Sequence, residues 1–242
     1  MVISRDLDWD GCCNVRDLGG LPTRSGTPLR SGAVVRSDHP SFLTDAGWQS
    51  LRDYGIRTIV SLQTEIDDAE TYARINPDVP PERLTDGISQ VRIAVEDCTD
   101  IEYLRLWADT SLWSTPLYFS DAYSRWPQRY AAALRAVATA PPGGVLVHCR
   151  AGCDRTGSVA LLLLAACDVE PAPIVADYLH SGSRYSHHDP DYPVTLQAAM
   201  DKAGTTAEQV VHDTLAGLDV VDYLRGGGLT DAELDALRER LR

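Results

Sequence analysis

The stretch from Gly143 to Gly157, GGVLVHCRAGCDRTG, constrains the fold more than any other part of the chain. Its short apolar run, Val145 to Val147, predicts a strand, and the apolar segment from Arg155 to Cys167 predicts a helix. The small polar loop between them turns consecutive backbone N–H groups toward one point, where the helix dipole also favours negative charge. The stretch therefore predicts an anion-binding loop that begins at Cys149.

The residue types in this loop meet the requirements of phosphoryl transfer. The field that binds an anion also stabilises the thiolate of Cys149, and a thiolate in line with a bound phosphorus is a nucleophile. Arg155 can hold two phosphate oxygens in a bidentate fork. We expect Thr156 to donate a hydrogen bond to the Cys149 sulfur and His148 to orient the loop by hydrogen bonds. The predicted substrate-binding residues are Arg150, Ala151, Gly152, Cys153 and Arg155.

The loop resembles the signature of cysteine-dependent phosphatases of the protein-tyrosine-phosphatase superfamily, His-Cys-x-x-Gly-x-x-Arg-Thr-Gly. Further blocks are similar to the bacterial tyrosine-phosphatase-like branch, which includes atypical dual-specificity and lipid-active phosphatases. These blocks are NVRDLGG at 14–20, RSGAVVRSD at 30–38, LTDAGWQSLRDYGIRTIVSL at 43–62 and DYL at 177–179. The resemblance covers most of the chain, and it implies a phosphatase fold and a reaction that needs neither a cofactor nor a metal.

Two positions depart from the pattern of that branch. Its loop commonly has lysine where this chain has Cys153, and it often has Asp-Leu-Arg where this chain has Ser61-Leu62-Gln63. Both changes remove charge near the expected substrate, whereas Cys149 and Arg155 are kept. We therefore expect the chemistry to survive, and we disfavour membrane phosphoinositides as substrates.

The leaving oxygen of a phosphomonoester needs a proton from a general acid. Many tyrosine phosphatases supply it from a Trp-Pro-Asp loop, but the similar Trp126-Pro127-Gln128 carries an amide and lies in a predicted helix. The resemblance assigns the acid to Asp154, and Asp38, Asp97 and Asp100 stay open as alternatives. The other interpretation of Asp154 is that it only caps the helix that follows the loop.

Composition bounds the partners and the compartment. The 242 residues carry a formal net charge of −13, which disfavours nucleic acid and anionic membranes as partners but permits a local basic pocket. The first ten residues lack the apolar core of a signal peptide, so we expect a cytoplasmic protein. In that compartment the six cysteines should be reduced, and the absence of a Cys-x-x-Cys pair predicts no structural zinc site.

Strands that alternate with helices, followed by helices alone, predict an α/β fold with a phosphatase-like central sheet and additional C-terminal helices. We expect one phosphatase domain, 1–242, in which 183–242 form a helical part and a candidate lid over the active site. The predicted strands are 33–37, 56–62, 90–95 and 145–147. The predicted helices are 45–54, 65–74, 117–140, 155–167 and 173–179, with prolines 77, 80 and 81 as a break, a polar loop at 183–193, and later capping boxes at Thr205/Glu208 and Thr230/Glu233.

Several sets of residues keep two interpretations. Cys153 is either a resolving thiol for oxidised Cys149 or a neutral replacement for lysine. We favour a polar surface loop over a metal site for HHDPD at 187–191. Asn14, Arg16 and Asp17 either brace the loop or have only a structural role. Tyr178, Tyr185 and Tyr192 either line the mouth of a pocket or only pack against their neighbours. We interpret Glu65, Asp67, Asp68 and Glu70 as the solvated face of a helix.

These observations predict a cysteine-dependent phosphomonoester hydrolase that forms a phosphocysteine intermediate. The expected substrate is a soluble phosphorylated metabolite such as a nucleotide or sugar phosphate, and the alternative is a phosphoprotein. A sulfurtransferase also places a cysteine in an anion-binding loop, but Arg155-Thr156-Gly157 argues against that class. A phosphate-binding pseudophosphatase usually lacks the cysteine or the arginine, and this chain has both.

Overall fold

The computed structural model of the chain describes residues 4–63, 87–110, 112–187 and 189–242. Its strands are β1 (Arg16–Asp17), β2 (Val34–Ser37), β3 (Ile56–Ser61), β4 (Ser89–Arg92) and β5 (Gly144–His148). Its helices in the first two thirds of the chain are α1 (Asp45–Asp53), α2 (Ile101–Tyr103), α3 (Phe119–Arg125), α4 (Pro127–Ala138) and α5 (Asp154–Ala166). The later helices are α6 (Pro171–Tyr185), α7 (Tyr192–Ala203), α8 (Ala207–Ala216), α9 (Val220–Gly226) and α10 (Asp231–Leu241).

The five strands form one sheet in the order β1-β2-β5-β3-β4. Strands β2, β5, β3 and β4 are parallel to one another, and β1 pairs antiparallel with β2 at one edge. Along the register, His148 of β5 lies beside Ser37 of β2 and Ser61 of β3. The loop after β5 therefore emerges at the centre of the carboxyl edge, where ligands bind in open parallel sheets.

Alternate side chains of β5 enter two separate hydrophobic cores, as the period of a strand requires. Val145 and Val147 pack into the larger core with residues of α4 and α5, whereas Leu146 packs into the smaller core with Trp48 of α1. Every residue of β5 is buried. The strand that carries the signature loop is thus fixed on both faces.

The predicted α/β class and all four predicted strands are confirmed, with ends that differ by a few residues. Thr44 is the N-cap of the helix expected over 45–54, since its hydroxyl accepts a hydrogen bond from the Gly47 amide. The capping box of Thr230 and Glu233 is also present. The other expected box is wrong by one residue, because Thr206 rather than Thr205 caps α8.

Two longer predictions were wrong. The single helix expected over 117–140 is broken at Trp126, whose backbone leaves the helical region (φ −131°, ψ 49°) so that Pro127 can start a new helix. The loop expected over 183–193 is shorter, because α6 continues to Tyr185 and α7 begins at Tyr192. The predicted helix 65–74, its acidic face and the prolines after it lie outside the described residues.

The last helices pack on the side of the sheet that carries α4. Arg135 of α4 forms an ion pair with Glu233 of α10 at 2.7 Å, and the Tyr223 hydroxyl of α9 donates to the Tyr123 carbonyl at 3.1 Å. Near the end of α10, Arg240 donates to the Gly143 carbonyl at 2.9 Å, just before β5 starts. This part of the C-terminal segment therefore lies at the opposite end of β5 from Cys149. Among the described residues, none of the helices is long and apolar enough to span a bilayer.

A buried ion cluster ties α6 to the first two strands. Asp177 accepts hydrogen bonds from Arg16 Nε at 2.9 Å, from Arg36 Nη1 at 2.6 Å and from Arg5 Nη2 at 2.9 Å. Arg16, Arg36 and Asp177 are almost fully buried. Burial alone would raise the pKa of Asp177, but the charges of Arg16 and Arg36 outweigh it and hold that pKa well below its usual range.

Asp177→Asn should destabilise the fold strongly, because it leaves buried arginines without their counter-charge. We expect the free energy of unfolding at pH 7 to fall by about 3–5 kcal/mol, measured by urea denaturation. The depressed pKa means that the contribution of Asp177 is present above its unfolded pKa of about 4 and is lost as pH falls toward the lower folded value.

The matched control is Asp235→Asn, which breaks an exposed pair with Arg238 at 3.6 Å on α10. Its cost should stay below about 1 kcal/mol. Equal losses in the two variants would show that the buried cluster is no more important than a surface pair.

Candidate active site

The signature loop lies between the end of β5 at His148 and the start of α5 at Asp154. The loop turns at Gly152, whose φ of +69° lies in the left-handed region. A Cβ atom at this position would lie 2.5 Å from the Ser37 carbonyl oxygen of β2. Glycine is needed there both for its backbone conformation and for the close approach of the loop to the neighbouring strand.

The loop carbonyls are held from outside the loop. The Asn14 side chain donates to the Ala151 carbonyl at 2.9 Å, and Arg36 Nη2 donates to the Gly152 carbonyl at 2.6 Å. The His39 amide donates to the Arg150 carbonyl at 2.9 Å. These bonds answer one open question about the segment NVRD: Asn14 braces the loop directly.

The two ends of the loop are held in the same way. His148 Nδ1 lies 2.9 Å from the Cys149 carbonyl and must donate, since a carbonyl only accepts. Burial, with His39 nearby, lowers the pKa of His148 far enough to keep its ring neutral. At the other end, the Gly157 amide donates to the Cys153 carbonyl at 2.7 Å. With all five carbonyls turned outward, the peptide N–H groups between them turn toward the centre of the loop.

A pocket of about 230 Å³ opens over this centre. Its floor is formed by loop and helix residues, namely Cys149, Arg150, Ala151, Asp154 and Arg155. Its walls are Trp113, Ser114, Tyr118 and Tyr185. The structure therefore brings the predicted nucleophile, arginine and acid together, and surrounds them with three aromatic rings.

The guanidinium of Arg155 is oriented by two residues that the sequence did not reveal. It lies over the Trp113 ring, 5.8 Å from the ring centre, and Trp113 Nε1 donates to Glu96 Oε2 at 2.8 Å. Burial lowers the pKa of Arg155, but the nearby Cys149 and Glu96 raise it by more, so the charge is secure. The sequence did show that Glu96 is an acid shortly after the predicted strand that became β4. Only the position of β4 beside β3 in the sheet places Glu96 at the carboxyl edge, near the loop.

Glu96 is fully buried, and its environment opposes ionisation. Burial raises the pKa of its carboxyl, while the charge of Arg155 and hydrogen bonds from Tyr118, Trp113 and Tyr103 lower it, and the net direction is upward. Its proximity also contributes to the raised pKa of Asp154. Two carboxyl groups thus share the surroundings of one arginine.

Asp154 is the candidate acid with the most suitable environment. Its side chain is partly exposed at the pocket, yet protein atoms crowd the carboxyl, and burial raises its pKa to about 7. The Tyr178 hydroxyl donates to Asp154 Oδ1 at 3.2 Å, and this bond lowers the pKa against the effect of burial. An acid with this pKa is protonated for part of the neutral range.

The three alternative acids are engaged elsewhere. Hydrogen bonds from Thr99 keep the pKa of Asp97 low, and Asp97 also pairs with Arg129 at 2.9 Å. Asp100 caps α2 through the Tyr103 amide, which lowers its pKa. Asp38 is fully buried and accepts from the Cys13 and Asn14 amides at 2.9 and 3.2 Å.

Thr156 differs from its expected arrangement, whereas the surroundings of Cys153 favour one of its two interpretations. The Thr156 hydroxyl is buried and makes no hydrogen bond with a described residue, so the expected bond to the Cys149 sulfur is not formed here. Cys153 is buried behind the loop, with its sulfur 3.5 Å from Asn14 Nδ2 and 3.6 Å from the Ser181 carbonyl. Burial raises the pKa of its thiol, which disfavours a resolving role. No disulfide joins any two of the six cysteines, all of which lie within the described residues.

The other residues with two interpretations differ in how close they lie to the loop and the pocket. Arg16 donates to Asn14, Asp177 and Ser181, which in turn lie near the loop. Asp17 instead accepts hydrogen bonds from the Gly19 and Gly32 amides. Tyr185 lines the pocket and stacks edge-on against Tyr192. In the described part of the HHDPD segment, which omits His188, and in the other described residues, no group of three His, Cys, Asp or Glu side chains is placed to hold a metal.

Comparison with known proteins gives a consistent result. A family model described as "Tyrosine phosphatase family" matches residues 7–242. The chain is 31% identical over 181 residues to a Cupriavidus necator protein whose name includes "tyrosine-protein phosphatase". That match covers 74% of this chain, and the chain spans only 64% of that relative's length.

Two further relatives align over more of their length. The "Triple specificity protein phosphatase PtpB" of Mycobacterium tuberculosis is 28% identical over 278 residues, which cover 94% of this chain and 96% of the relative. A "Tyrosine-protein phosphatase" of Nostoc commune is 25% identical over 247 residues, which cover 91% and 78%. The family match confirms the resemblance and the phosphatase class inferred from the signature loop. The chain belongs to the tyrosine phosphatase family.

Proposed function

We propose that this chain hydrolyses phosphomonoesters through a phosphocysteine intermediate at Cys149. The observation that carries the proposal is the outward orientation of five consecutive loop carbonyls above the buried Cys149, which leaves the loop amides for a phosphoryl group. Arg155, held beside the same pocket by Trp113, supplies the charged fork that binds two further phosphoryl oxygens.

In the first step the Cys149 thiolate attacks phosphorus and forms the S–P bond while the P–O bond to the leaving group breaks. The electron pair of that bond goes to the leaving oxygen, and protonated Asp154 donates its proton there. The amides and Arg155 hold the equatorial oxygens, where charge concentrates in the transition state.

In the second step water attacks phosphorus, the S–P bond breaks and the Cys149 thiolate leaves. Asp154, now a carboxylate, accepts a proton from the attacking water and returns to its starting state. Thr156 is a candidate to stabilise the leaving sulfur, because its buried hydroxyl has no other hydrogen-bond partner among the described residues. His148 supports the loop through the Cys149 carbonyl rather than by contact with substrate.

The size of the pocket bounds the substrate. A volume of about 230 Å³ is below the range of about 300–1,000 Å³ typical of ligand pockets, so it holds a phosphoryl group with little more than one ring. Cys153 faces away from the pocket, so the lysine it replaces has no cationic substitute at that position. These features support a compact soluble phosphometabolite such as a sugar phosphate, or a nucleotide whose base lies outside the pocket.

A phosphotyrosine residue is the second candidate, and two observations favour it. Trp113, Tyr118 and Tyr185 line the pocket with aromatic surface that suits a phenyl ring. The names of the relatives also include tyrosine-protein phosphatases. Both candidates require the same chemistry at Cys149 and differ in what lies beyond the first ring.

The C-terminal part contributes to the site through a short stretch. Tyr185 at the end of α6 lines the pocket and contacts Tyr192 at the start of α7, with ring centres 4.9 Å apart. We include this stretch as the lid of a single phosphatase domain, 1–242. The packing of α10 near Gly143 assigns that helix to the support of the sheet instead.

Cys149→Ser should abolish turnover and keep phosphate binding, because the loop amides and Arg155 remain. We expect kcat on para-nitrophenyl phosphate to fall by at least about 10³-fold. Isothermal titration with inorganic phosphate should give an affinity close to that of the unaltered protein. Cys167→Ser, which alters a buried thiol at the far end of α5, is the matched control and should keep its activity. A Cys149→Ser protein that retains substantial turnover would exclude the covalent mechanism.

Asp154→Asn should impair poor leaving groups more than good ones. An alkyl phosphate needs the proton, so its kcat should fall by about 10²–10⁴-fold, whereas para-nitrophenyl phosphate should lose far less. Since the acid must be protonated and its pKa is about 7, the alkaline limb of the kcat–pH profile should flatten in the variant.

The control for this experiment is Asp97→Asn, which removes a carboxyl paired with Arg129 outside the pocket. It should affect both substrates alike and leave the limb in place. Equal modest losses in Asp154→Asn, with the limb unchanged, would instead identify Asp154 as a helix cap.

The substrate class is tested by comparing kcat/KM across a panel of soluble phosphates and phosphopeptides. The panel contains nucleoside monophosphates, sugar phosphates, free phosphotyrosine and one phosphotyrosyl peptide. The metabolite proposal predicts the highest kcat/KM for a nucleotide or sugar phosphate. A clear preference for the peptide over free phosphotyrosine would show that contacts beyond the ring matter and would favour the phosphoprotein alternative.

A further inference from the structure

Tyr178 occupies an unusual position behind the signature loop. It lies on α6, next to Asp177, and its side chain is buried. Its ring packs against Gly157, where a Cβ atom would lie only 2.8 Å from Tyr178 Cδ2. The ring also packs against Phe119 in a T-shaped arrangement, with ring centres 5.5 Å apart. The absence of a side chain at Gly157 therefore lets the Tyr178 ring pack against the first turn of α5.

The backbone that carries Tyr178 is also fixed. Asp177 is bound by Arg16 and Arg36, and Arg36 simultaneously donates to the Gly152 carbonyl of the loop. Arg36 thus links Asp177 to the loop and fixes the distance between α6 and the loop at this turn of the helix. Tyr178, one residue later, is carried to a defined place relative to Asp154.

We propose that Tyr178 is a positioning residue for the general acid: its hydroxyl donates to Asp154 Oδ1 and leaves Oδ2 to carry the proton that passes to the leaving group. The inference rests on the proposed role of Asp154 and adds the residue that selects which oxygen acts. The hydrogen bond is 3.2 Å long and joins a rigid ring to the first residue of α5. A carboxyl held at one oxygen presents the other in a fixed direction.

The same bond tunes the acid. Burial raises the pKa of Asp154, the Tyr178 bond lowers it, Glu96 raises it, and Arg155 and Arg36 lower it. The other titratable groups close enough to interact with Asp154 are Tyr118, Cys153, Tyr185 and Tyr192. Removal of the Tyr178 hydroxyl withdraws a donor that stabilises the carboxylate, so the acid should stay protonated to higher pH.

The test is Tyr178→Phe, which keeps the ring against Gly157 and removes only the hydroxyl. With an alkyl phosphate as substrate, the alkaline limb of the kcat–pH profile should move up by about one pH unit. At pH values below the alkaline limb, kcat should fall several-fold for the alkyl phosphate and less for para-nitrophenyl phosphate. The reason is that Asp154, no longer oriented by the Tyr178 hydroxyl, matters most for the poor leaving group.

The matched control is Tyr123→Phe. Tyr123 is also buried, and its hydroxyl also donates to α5, at the Ser158 carbonyl, 2.8 Å away. This variant should leave the limb where it is. A limb that stays in place in Tyr178→Phe, or moves equally in both variants, overturns the proposal.

Two further measurements keep the outcomes distinct. If Tyr178→Phe does not fold, a fluorinated tyrosine at position 178 makes a stronger donor in the same shape, and the limb should move to lower pH; an unmoved limb counts against the proposal. Asp154→Asn separates the two levels of the account. A limb that is lost in Asp154→Asn but unmoved in Tyr178→Phe contradicts the inference alone, whereas a limb that persists in Asp154→Asn contradicts the proposed acid as well.

Discussion

The outward orientation of the loop carbonyls is the constraint on which the site depends. A five-residue loop can turn its amides inward only if donors elsewhere satisfy its carbonyls, since buried carbonyls without partners are costly. Asn14, His39 and Arg36 provide these donors from segments that lie far from the loop in sequence. The blocks that first appeared as scattered similarities are thus parts of one support for the signature loop.

The buried charges follow from the same requirement. Arg36 can donate to the loop only if a counter-charge makes its burial tolerable, and Asp177 supplies it together with Arg16. Asp177 in turn fixes α6, and α6 carries Tyr178 to Asp154. The block DYL at 177–179 therefore contacts the loop region in two places: Asp177 supports the carbonyl side through Arg36, and Tyr178 donates a hydrogen bond to Asp154 at the start of α5.

Local patterns predicted much of this fold, because strand periodicity and helix capping act over a few residues. The strand before Cys149, the helix that starts at Asp45 and the capping box at Thr230 are of this kind. The partners of Arg155 were not predictable, since Glu96 and Trp113 meet it only through the order of strands in the sheet. The 12-residue helix α7 was not predicted individually within the helical part 183–242, because the polar residues before Tyr192 resemble a loop.

Direct detection of the covalent intermediate tests the central claim most closely. The enzyme would be mixed with para-nitrophenyl phosphate, quenched in acid during turnover, digested and analysed by mass spectrometry. The account predicts one added phosphoryl group on the peptide that contains Cys149, located on the cysteine, and none on that peptide in Cys149→Ser. Turnover without any phosphorylated Cys149 peptide, or with the phosphoryl group on another residue, would contradict it.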